Sequence, residues 1–388
     1  MFKNSFRELF KMDHNASNRI FGLDFLRFVA ISMVILGHST VVMPPEFKPA
    51  IQRYMLDGVS IFFVLSGFLI GGILIRQLEK GKDSWSDLVH FWKRRWLRTI
   101  PAYFFVLTGI LVYTLIVMPD RFPGQWYEFY IFCQNLWHPR PEFYGEAWSL
   151  SVEEWFYLIV PSLIFGGIAL FRSSPKRMVL TVIIVVTAAA ITYRYLLFQQ
   201  LIHDESISSF KELKKLGDGL ITYRILPRLD ALMFGVMGAY LMHYFPAIWR
   251  LWKLPVRFLL FAAGWFILYA VKRDNAVDFV LYDAVWSHVL KAAAVLIMLP
   301  FLSKLVFRPN WITRFITFIS LISYSMYLVN WKVVLIMIMK NGIYQQLHGP
   351  WTVTAHWELD YCVFLGITIA LSYLIYRLIE VPFMNLRK

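Results

Sequence analysis

The run TIPAYFFVLTGILVYTLIVM, residues 99–118, contains 20 residues and no charge. At about 1.5 Å per residue such a helix is about 30 Å long, the thickness of a bilayer's hydrocarbon core. A helix on a water-soluble protein keeps a polar stripe toward solvent, and this run has none. A second charge-free run, MVLTVIIVVTAAAITY at 178–193, repeats the pattern. Working outward from these two, hydrophobic windows place ten spans, at about 22–42, 58–75, 99–118, 147–171, 178–198, 226–245, 256–271, 284–302, 315–339 and 358–379. The fold class is therefore all-α, a polytopic transmembrane helix bundle of about ten spans.

Composition agrees. Of 388 residues, 58% are apolar and 16% charged, against roughly 45–50% and roughly 25% in soluble globular proteins. That excludes a water-soluble fold. The formal charge of +14 raises nucleic acid as a partner, but basic residues in a membrane chain first set orientation, so no nucleic-acid partner is expected. The segments on the N-terminal side of the spans hold 23 Lys and Arg, and the opposite loops hold 11. Both termini are accordingly expected in the cytoplasm, with the protein integral to the cytoplasmic (inner) membrane.

The first twenty residues are polar and no small-residue cleavage site follows the first apolar run, so that run is expected to remain as a helix. Residues 1–388 read as a single integral-membrane domain with no appended soluble domain. Cys133 and Cys362 both fall at or near the expected outer side, where a disulfide or two unpaired thiols are equally open. His138 follows Cys133, but no second pair stands at ligand spacing, and no metal is expected.

Ionisable residues within spans are costly and mark candidate functional sites. Arg27 and His38 lie eleven residues apart, about 20° from perfect helical register over three turns, so they share a face. Asp24 can pair with Arg27 at i,i+3. The alternative is that Asp24 and Arg27 anchor the helix at the interface and His38 bonds a neighbouring helix.

The fourth span opens with WSLSVEEWFY, residues 148–157. Ser149, Glu153 and Tyr157 recur at i,i+4 and form a polar stripe, whereas Glu154 shares its face with Leu150 and Leu158. Counted from the outer boundary, Glu153 and His38 reach similar depths, so a contact that orients the imidazole and keeps it basic is geometrically possible. A carboxylate that simply caps or anchors the helix start is the alternative.

Arg228 and Asp230 open the sixth span, His288 lies early in the eighth and Asn330 late in the ninth. Together they suggest a polar cavity in the outer half, or separate interfacial anchors. On the opposite side Arg95 and Arg98, at i,i+3 in KRRWLR (93–98), suit a phosphorylated ligand. Positive-inside bias would place basic residues there too. Gly67 and Gly71 beside Ser66 read as a close-packing seam.

Five segments in order then resemble the membrane-bound acyltransferase-3 family, bacterial enzymes that acylate glycans and other extracytoplasmic acceptors. They are Arg27-x10-His38 within GLDFLR, SGF at 66–68, Arg95-x-x-Arg98, WSLSVEEWFY at 148–157 and ISYSMYL at 322–328. The resemblance implies an acyl-CoA donor held from the cytoplasm, with the arginine pair near its phosphates and Ser66 along its path. It also implies His38 at the reacting centre. Members often carry His where this chain has Asn330, so no proton-transfer role is assigned to that residue. Many members append a periplasmic esterase-like domain. The chain ends at Lys388 without one, so it is expected to use a separate partner or to complete transfer alone.

The expected activity is O-acyl transfer, with acetyl the expected group, from cytoplasmic acyl-CoA to a hydroxyl of a cell-envelope or exported glycan, free or lipid-linked. Acetyl-CoA acts as co-substrate and no cofactor is permanently bound. His38 and Glu153 are the expected catalytic pair. Arg27, Arg95, Arg98 and Ser66 face the donor. Asp24, Glu154, Tyr157, Arg228, Asp230 and Asn330 line the acceptor side or the cavity. Attack by the acceptor hydroxyl on the thioester and a covalent acyl-enzyme are both open. The rival class is a glycan or lipid transporter using His38, Glu153 and Arg228 as a proton relay; it should leave acetyl-CoA intact.

Overall fold

A computed structural model describes residues 19–136, 138, 141–204, 207, 210–251, 254–271, 281–342 and 357–387. The polar segment before Arg19 and parts of both long loops fall outside these residues. Among the described residues there is no strand. Ten principal helices follow the ten expected spans: α1 (Phe21–Ser39), α2 (Gly58–Leu78), α3 (Trp85–Val117), α4 (Ala147–Phe171), α5 (Pro175–Ile202), α6 (Leu229–Tyr244), α7 (Leu254–Ala270), α8 (Ser287–Leu302), α9 (Trp311–Val329) and α10 (Trp357–Ile375).

Among the described residues eight helical segments are long and apolar enough to cross a membrane, and the protein is an integral membrane protein. The two departures are informative. A helical segment before α6, Glu212–Thr222, meets Leu226–Tyr244 at a 77° bend, so the two pass as one span only across a break. At 17 residues α7 is short, and it seats on α8 through Gly264, where a Cβ would stand 2.5 Å from the Ala294 carbonyl oxygen.

Local chemistry sets the helix ends. Helix α3 begins fourteen residues before its apolar run because Ser84 and Asp87 form a capping box, so Arg95 and Arg98 ride on one continuous helix with the span. Asn310 and Thr313 cap α9 in the same way. Beyond Val329, α9 continues as a wider π-helical stretch, Asn330–Lys340, a departure that recurs at functional sites.

The glycines bring backbones together. A Cβ on Gly67 would fall on the Leu232 carbonyl, one on Gly235 on the Val64 carbonyl, and one on Gly22 on the Leu302 carbonyl. Helix α2 thus meets α6, and α1 meets α8, at a distance only glycine allows. A fully buried ion pair ties α5 to the start of α6: Arg194 Nη2 lies 2.6 Å from Asp230 Oδ2 and Nη1 lies 3.0 Å from Oδ1.

Candidate active site

Among the described residues, two cavities inside the bundle take in most of the expected site residues. The larger, about 1220 Å³, is lined by His38, Glu146, Trp148, Arg228, His288 and Trp331 among others. The smaller, about 110 Å³, is lined by Arg27, Ser66, Arg95, Arg98, Glu153 and Tyr157 among others. Val59 and Tyr327 line both. Tyr327 is held at that partition by Ser149 Oγ, 2.6 Å from its hydroxyl, and its O–H also reaches the Glu146 carbonyl at 3.2 Å. Helix α1 therefore presents His38 to one cavity and Arg27 to the other, about 16 Å apart along its axis.

His38 Nδ1 lies 2.5 Å from Asn330 Oδ1. The amide's orientation follows from its other bonds, because Asn330 Nδ2 donates to the carbonyls of Met326 at 2.7 Å and Tyr327 at 3.0 Å. Oδ1 can only accept, so Nδ1 carries the hydrogen and Nε2 the lone pair. Trp331 packs on the imidazole with ring centroids 5.0 Å apart.

Glu153 does not take the place beside His38 that the sequence suggested. Its Oε1 accepts from Ser66 Oγ at 3.0 Å and its Oε2 from Tyr157 O–H at 2.9 Å, within the smaller cavity. Matching positions along two helices do not make their side chains face each other, and Glu153 is turned toward α2. Gln134 and Asn135 are buried and donate to the carbonyls of Ala147 and Trp148, tying the start of α4 to the segment before it.

The other expected residues divide. Arg27 and Ser66 line the smaller cavity with Arg95 and Arg98, and Arg228 lines the larger. Among the described residues no carboxylate lies within ion-pair distance of Arg95 or Arg98, although Arg98 is within electrostatic reach of Glu153 and Glu380, and Arg95 Nε is buried without a hydrogen bond. Tyr157 belongs to the smaller cavity. Asp24 lines neither; it pairs with Arg19 at 2.7 Å and Arg27 at 3.2 Å and accepts from Ser320 Oγ at 2.9 Å. Asp230 is consumed by Arg194. Glu154, expected on an apolar face, is buried against α3, accepting from Thr99 Oγ1 at 2.7 Å. The aliphatic residues beside it gave no signal of that contact.

Three polar residues escaped the sequence reading. Glu146 lines the larger cavity and accepts the Lys332 backbone N–H at 2.8 Å; lying just before a span, it reads as a cap. Glu380, buried, accepts from Ser325 Oγ, but it follows the last expected span and reads as loop. Arg194 sits one turn from a span's end, where a snorkelling anchor is the default reading. Cys133 and Cys362 are free thiols. Among the described residues no group of three or more His, Cys, Asp or Glu is placed to hold a metal.

The family described as "Acyltransferase domain" matches residues 20–377, and the chain belongs to that family. It is similar to the O-acetyltransferase OatA of Staphylococcus aureus, 31% identical over 177 residues, which cover 42% of this chain and 27% of that protein. It is also similar to the peptidoglycan O-acetyltransferase OatA of Listeria monocytogenes, 32% identical over 158 residues (37% of this chain, 24% of that one). The putative peptidoglycan O-acetyltransferase YrhL of Bacillus subtilis is 30% identical over 186 residues (43% and 27%). The chain thus spans about a quarter of the length of these curated relatives. No solved structure matches.

Proposed function

We propose that this protein transfers an acetyl group from acetyl-CoA, bound on the cytoplasmic side, to a hydroxyl of a cell-envelope glycan on the other side of the inner membrane. The observation that carries this reading is the pair of cavities meeting at Val59 and Tyr327, one basic and one holding an oriented imidazole. The names of two of the relatives, the peptidoglycan O-acetyltransferase of Listeria monocytogenes and the putative one of Bacillus subtilis, support the acceptor class. The excess of basic residues on the side of Arg95 and Arg98 supports the orientation, with both termini cytoplasmic.

Arg95 and Arg98 hold the phosphates of CoA through charge-assisted hydrogen bonds. Arg27, Ser66 and Glu153 shape the path of the pantetheine arm, which passes Tyr327 to bring the thioester to the larger cavity. There His38 Nε2 takes the proton of the acceptor hydroxyl as its oxygen attacks the thioester carbonyl carbon. The C–S bond breaks, and the imidazolium returns its proton to the departing CoA sulfur. Asn330, not Glu153, holds the imidazole in the tautomer this requires.

The test is release of free CoA by purified protein given acetyl-CoA and a soluble glycan acceptor, with the acetylated sugar identified by mass. Transfer lost in the His38→Ala protein supports the reading. Acetyl-CoA left intact by a folded parent protein would overturn it in favour of transport.

A further inference from the structure

The larger cavity contains two histidines, and their partners impose opposite proton positions. His38 Nδ1 donates to Asn330 Oδ1 and leaves the lone pair on Nε2. His288 Nδ1 instead meets Arg228 Nη1. A guanidinium carries five N–H donors, has no acceptor and stays protonated in proteins. Nδ1 of His288 must therefore hold the lone pair, and its hydrogen sits on Nε2. One imidazole in the cavity is built to take a proton and the other to donate a hydrogen bond.

Arg228 is rigidly seated for this. Its Nη2 donates to Ser60 Oγ at 2.9 Å, Ser60 Oγ donates to Asp57 Oδ2 at 2.7 Å, and Asp57 Oδ2 lies 3.6 Å from Lys291 Nζ. The guanidinium stands over the rings of Phe63 and Trp148, at 5.6 and 6.0 Å from their centroids. Its Nε has no hydrogen-bond partner among the described residues. Of the two nearby carboxylates, Asp230 is taken by Arg194 in a bidentate pair, and Asp57 accepts from Ser60 and lies beside Lys291. Asp57, Glu146, Asp218 and Asp283 line the same cavity and Lys291 pairs with Asp57, but among the described residues no acceptor is seated on Arg228 Nε or on His288 Nε2.

Such an array favours an oxygen that carries no hydrogen of its own, because a carbonyl or carboxylate oxygen accepts from two donors at once, whereas a hydroxyl must also place its hydrogen. We propose that His288 and Arg228 form a subsite for a carbonyl or carboxylate oxygen on the acceptor sugar, positioning the acceptor so that its reacting hydroxyl faces His38. The proposal rests on the reading of the larger cavity as the acceptor site. An acetamido group and an acidic substituent share the required chemistry.

The test measures acceptor binding directly, so that it stands apart from transfer. The full chain in lipid nanodiscs, without acetyl-CoA, is titrated calorimetrically with three disaccharides. Cellobiose has neither group, chitobiose has acetamido groups, and N-acetylglucosaminyl-N-acetylmuramic acid has acetamido groups and a carboxylate. The parent is expected to bind the last two at least about tenfold more tightly than cellobiose, the scale of one or two hydrogen bonds. Equal affinity of chitobiose and the muramyl disaccharide assigns the subsite to the carbonyl, and tighter muramyl binding assigns it to the carboxylate.

Two substitutions separate donation from mere support of Arg228. His288→Gln places an amide N–H where Nε2 stood and is expected to keep the preference. His288→Asn keeps an acceptor for Arg228 but has no N–H at the Nε2 position, and is expected to lose it. In transfer assays the Asn variant should raise the acceptor KM about tenfold with kcat changed only a few-fold. Preference retained in His288→Asn and lost in His288→Gln would show a purely structural histidine and overturn the proposal. So would a parent that binds all three sugars equally. If binding behaves as expected while acetyl-CoA stays intact, the subsite stands and the transfer reading falls.

Discussion

His38 and Asn330 stand 292 residues apart in the chain and 2.5 Å apart in space, with Nδ1 facing Oδ1. The relationship has a backbone origin. Where α9 widens into its π-helical stretch, Asn330 sends its amide nitrogen back to the Met326 and Tyr327 carbonyls, and its oxygen is left toward α1. The local winding of one helix thereby selects the tautomer of a histidine on another.

Asn330→Ala should therefore lower acyl transfer by about 10²-fold or more, within the range expected for loss of general-base assistance. The KM for acetyl-CoA should change little. Steady-state kinetics on the purified variant check this, and near-parental kcat would show that the imidazole is oriented by something else.

His38→Ala and the arginine substitutions should fail in different ways. Without His38, transfer falls by about 10²–10⁴-fold while CoA still binds. Arg95→Ala and Arg98→Ala should each weaken CoA binding by about 1.5–3 kcal/mol, the worth of a hydrogen bond to a charged group. Calorimetry with CoA alone separates the two, and unchanged binding in the double arginine variant would make that pair topological only.

The Arg194–Asp230 pair should matter to stability and not to chemistry. Arg194→Leu leaves a buried carboxylate without its cation, at a cost of about 3–5 kcal/mol, whereas Arg194→Leu with Asp230→Leu should recover most of the loss. Thermal unfolding in detergent reads both. A double variant no more stable than the single one would contradict the ion-pair account.

Gly67→Ala should destabilise strongly, since its methyl would fall on the Leu232 carbonyl. Gly109→Ala, with nothing within 4 Å of the added carbon, should be tolerated and even slightly stabilising, because alanine favours the helix by about 1 kcal/mol over glycine. Equal melting temperatures for the two variants would refute the close-contact account of α2 and α6.

Cys133, outside the spanning helices, has its thiol pKa raised above the usual range by partial burial and by the Glu128 carboxylate. The thiolate is the reactive form, so at neutral pH little of it is present, and labelling should quicken as pH rises. An impermeant maleimide added outside cells should reach Cys133 slowly at pH 7 and faster at pH 9, while a cysteine at position 95 should stay unlabelled. Labelling of position 95 alone would invert the orientation.

Much of this protein was decided by the order of its residues. Charge-free runs such as 99–118 can be satisfied only as membrane-crossing helices, because a bare backbone in hydrocarbon must bond within itself. Helical periodicity likewise put Arg27 and His38 on one face of α1, and i,i+4 spacing joined Glu153 to Tyr157 through the hydrogen bond at 2.9 Å. Partners across helices were another matter. Glu153 and His38 match by their positions along two helices, but Glu153 bonds Ser66 on α2 and Tyr157 on its own helix, and His38 bonds Asn330 on the stretch after α9. Asp230 looked like a cavity residue until Arg194, a full helix away in sequence, closed on it. The division between the two cavities exists only where Tyr327, Ser149 and Val59 meet. Periodicity constrains a helix's own faces, but which face meets which neighbour is set by packing, and here by glycines that admit a carbonyl where a methyl would not fit.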